Sequence, residues 1–150
     1  TEGMLMRNRR AEAVVKDLHD MGVGIVLDDF GQGHSSIANL TSLPIKAIKI
    51  DRAFVDGARV PGEQQAICSA IIAMSRELGI TVIAEGVECQ SQVDFFRERG
   101  CDAVQGFLFS EPLPADRVPA FLTACVQAVD KTGRLDLGTV CKEVRIKAVS

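Results

Sequence analysis

Apolar positions along the chain switch repeatedly between two spacings. Ala11, Val14, Leu18 and Met21 recur at the interval of an amphipathic helix, and Gly22 follows where such a helix would end. Val23 to Leu27 is then a short apolar run interrupted only by Gly24, the pattern of a buried parallel strand. The alternation continues with Ser35–Ser36 as the cap of a short helix toward Leu43, Pro44 as its breaker and Ala47 to Ile50 as a second strand. Pro61–Gly62 precedes a long helix with Ile67, Ala70, Ile71, Met74 and Leu78 on one face and Gly79 as its stop. Thr81 to Ala84 reads as the third strand. Ser91 with Asp94 resembles a capping box for a helix through Val93 and Phe96, closed by Gly100. A short strand, Asp102 to Val104, is followed by Pro112-Leu113-Pro114 and a helix through Val118, Phe121 and Leu122.

A β-α unit repeated about four times after a leading helix predicts an α/β fold, with a parallel sheet covered by helices. There is no repeat at fixed period and no low-complexity linker. From about Asp130 to Ser150 the periodicity weakens and basic residues appear, so this tail is expected to be peripheral.

Composition narrows the class without naming a chemistry. The 150 residues suffice for one modest domain with a core, and 47% hydrophobic with 25% charged residues is the balance of an ordinary globular protein. A net charge of -3 gives no reason to expect wrapping of a nucleic-acid polymer or adhesion to anionic lipid. No apolar run approaches the roughly 18 residues of a membrane span, and no signal-peptide pattern opens the chain. Cys68, Cys89, Cys101, Cys125 and Cys141 are scattered, odd in number and without a C-x-x-C pair, as expected of reduced thiols in a cytoplasmic protein. His19 and His34 have no spacing to cysteine that suits zinc. The first residue is Thr1 and not Met, so a fragment or processed chain is expected.

The informative feature is what stands at the carboxyl end of each predicted strand. The first ends in Asp28–Asp29, the second carries Lys49 and ends in Asp51, the third ends in Glu85 with Glu88 three residues on, and the fourth ends in Gln105. Ligands of parallel sheets and barrels bind at that edge, where the loops converge. Adjacent carboxylates suit hard divalent cations such as Mg2+ and Mn2+, and two such ions can support in-line displacement at phosphorus. A neighbouring lysine can hold water or phosphate as a point charge, and a third carboxylate can accept a proton or complete a coordination shell. Gln105 can donate and accept hydrogen bonds without adding charge. The set points to metal-assisted phosphoester hydrolysis.

Each residue alone has a plainer reading. An Asp pair after a strand is most often a turn former or helix cap, Lys49 can snorkel, Glu88 can cap the next helix and Gln105 can satisfy backbone groups. It is the common register across successive strands that favours chemistry. Two other motifs fail. Asp29-Phe30-Gly31 with Ala47-Ile48-Lys49 spells kinase elements, but in the wrong order and without a catalytic loop. Gly31-Gln32-Gly33 hints at dinucleotide binding, but the two preceding aspartates would repel a pyrophosphate.

Five linked motifs resemble the EAL-type cyclic di-GMP phosphodiesterases. They are Asp28-Asp29-Phe30-Gly31-Gln32-Gly33-His34-Ser35-Ser36 followed by Leu43-Pro44; Lys49-Ile50-Asp51-Arg52-Ala53-Phe54-Val55; Ala84-Glu85-Gly86-Val87-Glu88; Gly100-Cys101-Asp102 with Gln105-Gly106-Phe107-Leu108-Phe109-Ser110; and Pro112-Leu113-Pro114. The likeness runs from Thr1 to about Leu122. It implies the later part of a (β/α)8 TIM-type barrel over residues 1–124, followed by a peripheral tail over 125–150. It further implies Mg2+ or Mn2+ in a two-metal site and opening of cyclic di-GMP to linear pGpG. By the same resemblance, Asp28, Asp29 and Glu85 belong to the metal site, and Lys49 and Glu85 attend the catalytic water. Asp51, Glu88 and Gln105 stand near the substrate. Glu2, of the Thr1–Glu2 pair, steadies the loop from Phe30 to Ser36, which in the family links dimer contact to metal loading. Implied partners are a second copy through the barrel and sensory or diguanylate cyclase domains in the parent protein.

Two kinds of departure bear on this expectation. The loop that usually reads Gly-Thr-Gly-Tyr-Ser-Ser carries Gln32 and His34 here, a change expected to tune and not to abolish function. The name-giving Glu-Ala-Leu motif, an asparagine ligand and another glutamate ligand would precede Thr1. The chain by itself is therefore expected to hydrolyse little. A degenerate EAL domain that senses cyclic di-GMP or regulates a partner without catalysis, and a fragment acting through self-association, stay open as alternatives.

Overall fold

The computed structural model describes residues 9–31 and 37–127. Two compact units follow one another along the chain, Thr1–Leu108 and Phe109–Ser150. In the first, the order is α1 (Arg9–Asp20), β1 (Ile25–Phe30), α2 (Ile37–Ser42), β2 (Ile45–Ile50), α3 (Arg52–Gly57), α4 (Glu63–Glu77), β3 (Thr81–Glu85), α5 (Gln90–Glu98) and β4 (Ala103–Gln105). The second contains a 3-10 turn, Ala115–Arg117, that leads into α6 (Val118–Gln127). The tail expected to be peripheral lies mostly outside the described residues, as do the Ser35–Ser36 cap and Glu2.

The four strands form one sheet in the order β1-β2-β3-β4, every pair parallel. This is the β-α alternation anticipated from the apolar pattern. One face of the sheet is the core. Ile48, Ile50, Val82 and Ala84 are at most 1% exposed and share that face with the helices, from which Val55, Cys68, Ile72 and Phe96 are also fully buried. Burying an aliphatic side chain of this size contributes about 1.5–3 kcal/mol, so these residues form the main apolar anchor of the sheet. Helices α3 and α4 pack on β3 and on each other. Apart from the buried Ala47, the residues on the opposite face are less covered: Val26 is 46% exposed, Ile45 and Ile83 are half-buried, and Ala103 is exposed. Period-2 alternation thus puts the aliphatic layer on one face and leaves the other free to carry polar groups.

Glycine ends three helices in one way. Gly22, Gly79 and Gly100 have φ of 87°, 68° and 74°. In each case the glycine N–H donates three residues back and the next N–H donates five residues back, as in Gly79 to Arg76 (3.1 Å) and Ile80 to Ser75 (2.8 Å). This is the Schellman closure, which satisfies carbonyls left open at the helix end. It also explains why β1 begins at Ile25 and not at Val23 as predicted: the Val23 N–H is committed to the Leu18 carbonyl (3.0 Å) and still belongs to the helix end.

The start of α5 differs from the Ser91–Asp94 capping box read from the sequence. The helix begins at Gln90, after Cys89. Asp94 instead accepts from Gln90 Nε2 (3.1 Å) and Arg97 Nη1 (3.2 Å) on the surface. The reason is Gln92, which is fully buried and turns back on its own helix start: its Oε1 accepts from the N–H of Glu88 (2.8 Å) and of Cys89 (3.1 Å). A buried amide must find such partners, and these outcompete a surface box.

Two glycine substitutions separate backbone conformation from space. A Cβ at Gly79 meets nothing within 4 Å, so Gly79→Ala should cost only the left-handed strain of about 1–2 kcal/mol. A Cβ at Gly106 would fall on the backbone of Val87, and Gly106→Ala should cost about 3 kcal/mol as the two segments are forced apart. Urea midpoints measure both; equal losses would remove close approach as the reason for Gly106.

Candidate active site

The site grows from an irregularity in β1. Leu27 pairs with Ile48 but Phe30 with Ile50, so β1 carries one more residue than β2 across this stretch. The extra residue is a bulge, and Asp29 sits there at φ 52°, the left-handed region that non-glycine residues avoid except Asn and Asp. In a regular strand Asp28 and Asp29 would point to opposite faces. With the bulge, both are exposed and both offer an oxygen to one cluster with Glu85, all within 4.8 Å of one another. The strand itself continues through Phe30, whose side chain returns to the core.

Lys49 stands on β2 between these groups. Its ammonium is 3.0 Å from Asp28 Oδ1 and also pairs with Glu85 Oε1 of β3. Lys49 is in register with Ile83, so it shares a face with Glu85 two residues further along β3. The hydrogen bond to Glu85 raises the Lys49 pKa above the ordinary lysine value, against the opposing cost of burial, and Asp28 adds to the rise. Gln105, exposed at the end of β4, is paired in register with Glu85. Its carbonyl accepts from the Val87 N–H (3.0 Å), which ties β4 to the turn after Glu85. The structure therefore gathers Asp28, Asp29, Lys49 and Glu85, with Gln105 beside them.

Two other expected site residues are engaged elsewhere. Asp51 is buried, and its Oδ1 accepts from the Ala53 N–H at 2.8 Å, capping α3. Glu88 is bound by two arginines, Arg52 Nη2 at 2.5 Å and Arg59 Nη2 at 2.7 Å. Glu88 in turn raises the Arg59 pKa. Arg52, Arg59 and Gln92 are the residues that sequence reasoning missed. Cys89-x-x-Gln92 has the spacing of a capping box with cysteine in place of serine or threonine, a signal that could have pointed to Gln92. Nothing in the spacing pointed to Arg59. Of the thiols, Cys68 and Cys101 are pushed up to about 11 by burial, as suits core-filling cysteines. Cys89 is lowered by its contact with Ser91.

The donor set fits hard divalent cations: three carboxylates, from a bulged strand and its second neighbour, already converge without a soft ligand among them. Asp28, Asp29 and Glu85 would hold such ions.

Fold and rim together define a parallel α/β barrel segment with a carboxylate-lysine site at the carboxyl ends of its strands. The EAL domain family matches residues 1–112, and the chain belongs to that family. It is 43% identical over 121 residues to the bifunctional diguanylate cyclase/cyclic di-GMP phosphodiesterase MucR of Pseudomonas aeruginosa, covering 80% of this chain and 18% of MucR. Among solved structures it is similar to the EAL domain of Mycobacterium smegmatis DcpA, with a TM-score of 0.70 and 34% identity over 83% of this chain and 52% of that one. It is also similar to Klebsiella pneumoniae BlrP1 in a manganese/cyclic di-GMP complex, with a TM-score of 0.65 and 36% identity over 69% of this chain and 26% of that one. The fold is accordingly part of a TIM-type barrel, and the chain spans well under two thirds of each of these relatives. No helix among the described residues is long and apolar enough to cross a membrane.

The raised Lys49 pKa fixes the sign of one pH effect. The stabilisation from its ion pairs is fully present below the ordinary lysine value and is lost as pH rises through the higher native one, because the folded state holds the proton more tightly. Stability should therefore fall on an alkaline limb above about pH 10, and Lys49→Met should flatten that limb. Urea midpoints across that range check it; an unchanged limb in the variant would dissociate Lys49 from the effect.

Proposed function

We propose that this chain supplies the later strands of a metal-dependent phosphodiesterase domain that opens cyclic di-GMP to linear pGpG. The observation that carries this reading is the convergence of Asp28, Asp29 and Glu85 around Lys49 on one rim. It is supported by two relatives: MucR is a bifunctional diguanylate cyclase/cyclic di-GMP phosphodiesterase, and BlrP1 forms a complex with manganese and cyclic di-GMP. In the complete domain, Mg2+ or Mn2+ held by the carboxylates would supply Lewis-acid polarisation of the phosphodiester and a more acidic water.

The chain's own residues have separable tasks. Asp28 and Asp29, turned to the same side by the bulge, would hold the cations, without which their negative charge would repel a phosphate. Glu85, only 18% exposed at its side chain, is placed to accept the proton of an attacking water. The Lys49 ammonium orients Glu85 and Asp28 and can donate to water or to a non-bridging phosphate oxygen. Gln105, next to Glu85 across the sheet, can hydrogen-bond the nucleotide without altering the charge balance. Asp51 contributes by fixing the start of α3, which follows directly from the Lys49 strand. The rest of such a barrel covers the open face of the sheet. The free thiols Cys68, Cys89, Cys101 and Cys125 suit a cytoplasmic setting.

The full-length protein that carries this chain should hydrolyse cyclic di-GMP when supplied with Mg2+ or Mn2+. Asp28→Asn and Glu85→Gln should each lower kcat by at least about 100-fold with the fold retained. Linear pGpG is followed by chromatography. Nucleotide binding without hydrolysis would mark the domain as a sensor, and undiminished turnover in both variants would overturn the site.

A further inference from the structure

The turn from Gly86 to Cys89, between β3 and α5, is held from two sides, and metal or substrate chemistry explains neither hold. From within, Gln92 accepts from the N–H of Glu88 and Cys89, and its Nε2 donates to the Val55 carbonyl of α3 at 3.0 Å. From outside, the Glu88 carboxylate uses both oxygens on arginines: Oε1 takes Arg52 and Oε2 takes Arg59. Asp56 closes the ring, accepting from Arg52 Nε at 3.4 Å and from Arg59 Nη2 at 3.1 Å. Arg52 opens α3, Asp56 lies within it and Arg59 follows its end, so the ring pins the turn to this short helix. An isolated surface ion pair contributes little. Here four alternating charges close on themselves, and a carboxylate whose two oxygens each accept from a different guanidinium has a defined orientation. Gly86 leaves the room for this arrangement, since a Cβ there would meet the Arg52 methylenes.

We propose that Arg59, together with Arg52, is a positioning residue for the hydrolytic reaction: the pair anchors Glu88 and so fixes the turn that sets Glu85 beside Lys49 and the aspartates. This rests on the phosphodiesterase reading above. Glu88 then acts as the anchor of the turn, each of its oxygens held by one arginine.

A double-mutant cycle of Arg59→Ala and Glu88→Gln in the full-length protein tests this. It is read as kcat for cyclic di-GMP with Mn2+ and, separately, as Mn2+ affinity by calorimetry, at a temperature where circular dichroism shows each variant folded. Each single variant should lower kcat by about tenfold and weaken Mn2+ binding, the size expected for a group that orients a metal-site residue through others. The double variant should be no worse than the more damaging single one, and Arg59→Lys should restore most of the loss. Losses that multiply in the double variant, or an Arg59→Ala protein with unchanged kcat and Mn2+ affinity, would overturn the proposal. If the wild-type protein holds Mn2+ but hydrolyses nothing, the phosphodiesterase reading fails, and the Mn2+ affinity cycle still decides whether Arg59 and Glu88 are coupled. A wild-type protein that binds no Mn2+ overturns both.

Discussion

Three carboxylates from two non-adjacent strands share one rim of the sheet, and the ammonium of Lys49 stands on the strand between them. At the separation observed, two unit charges repel by roughly 3–4 kcal/mol at an effective dielectric of about 20. Water screens part of this at Asp28, whose side chain is 61% exposed, and much less of it at Glu85. Carboxylates gathered this closely need a compensating charge to remain assembled. Lys49 satisfies that need by pairing with one carboxylate from each flanking strand, and this is why its own proton is held more tightly than usual. The sheet order follows the same logic, because only a central strand can present a cation to both neighbours at once.

The rest of the fold supplies rigidity to that rim from below and from the side. Below it, the aliphatic layer of Ile48, Ile50, Val82 and Ala84 locks the strands in register against the helices. From the side, α3 acts as a brace. Its cap is the buried Asp51, its carbonyl at Val55 is held by Gln92, and its charged side chains hold Glu88. A helix of six residues has little stability of its own, so its position must come from these tertiary contacts. The strained conformation of Asp29 belongs to the same economy: left-handed backbone at a non-glycine residue persists where the surroundings over-determine it, and such strain clusters at functional sites.

Much of this was legible in the residues. The spacing of apolar positions marked every strand and the long helix within a few residues, because a buried face must repeat with the period of its backbone. Gly22, Gly79 and Gly100 were readable as helix stops because the left-handed closure admits few other residues. The alignment of Asp28–Asp29, Lys49, Glu85 and Gln105 at strand ends was readable because a parallel sheet brings successive carboxyl ends to one edge.

Other features had no local signature. Ser91 and Asp94 had the spacing of a capping box, yet Gln92 took over the helix start, since a buried amide must find partners and a surface box need not form. Asp51, read as a rim residue near the substrate, also caps a helix, because a carboxylate just before a helical turn meets an unpaired N–H at once. The ring of Arg52, Asp56, Arg59 and Glu88 joins residues up to 36 positions apart, and nothing local in a sequence encodes such a pairing. By itself, then, the sequence determined the order of the elements, their buried faces and the family to which the chain belongs, all of which depend on short-range period and motif. Only the tertiary structure decided which way Asp29 turns and which acids pair with Lys49 and which with the arginines. Those outcomes depend on charges and backbone groups that meet across the sheet once it has formed.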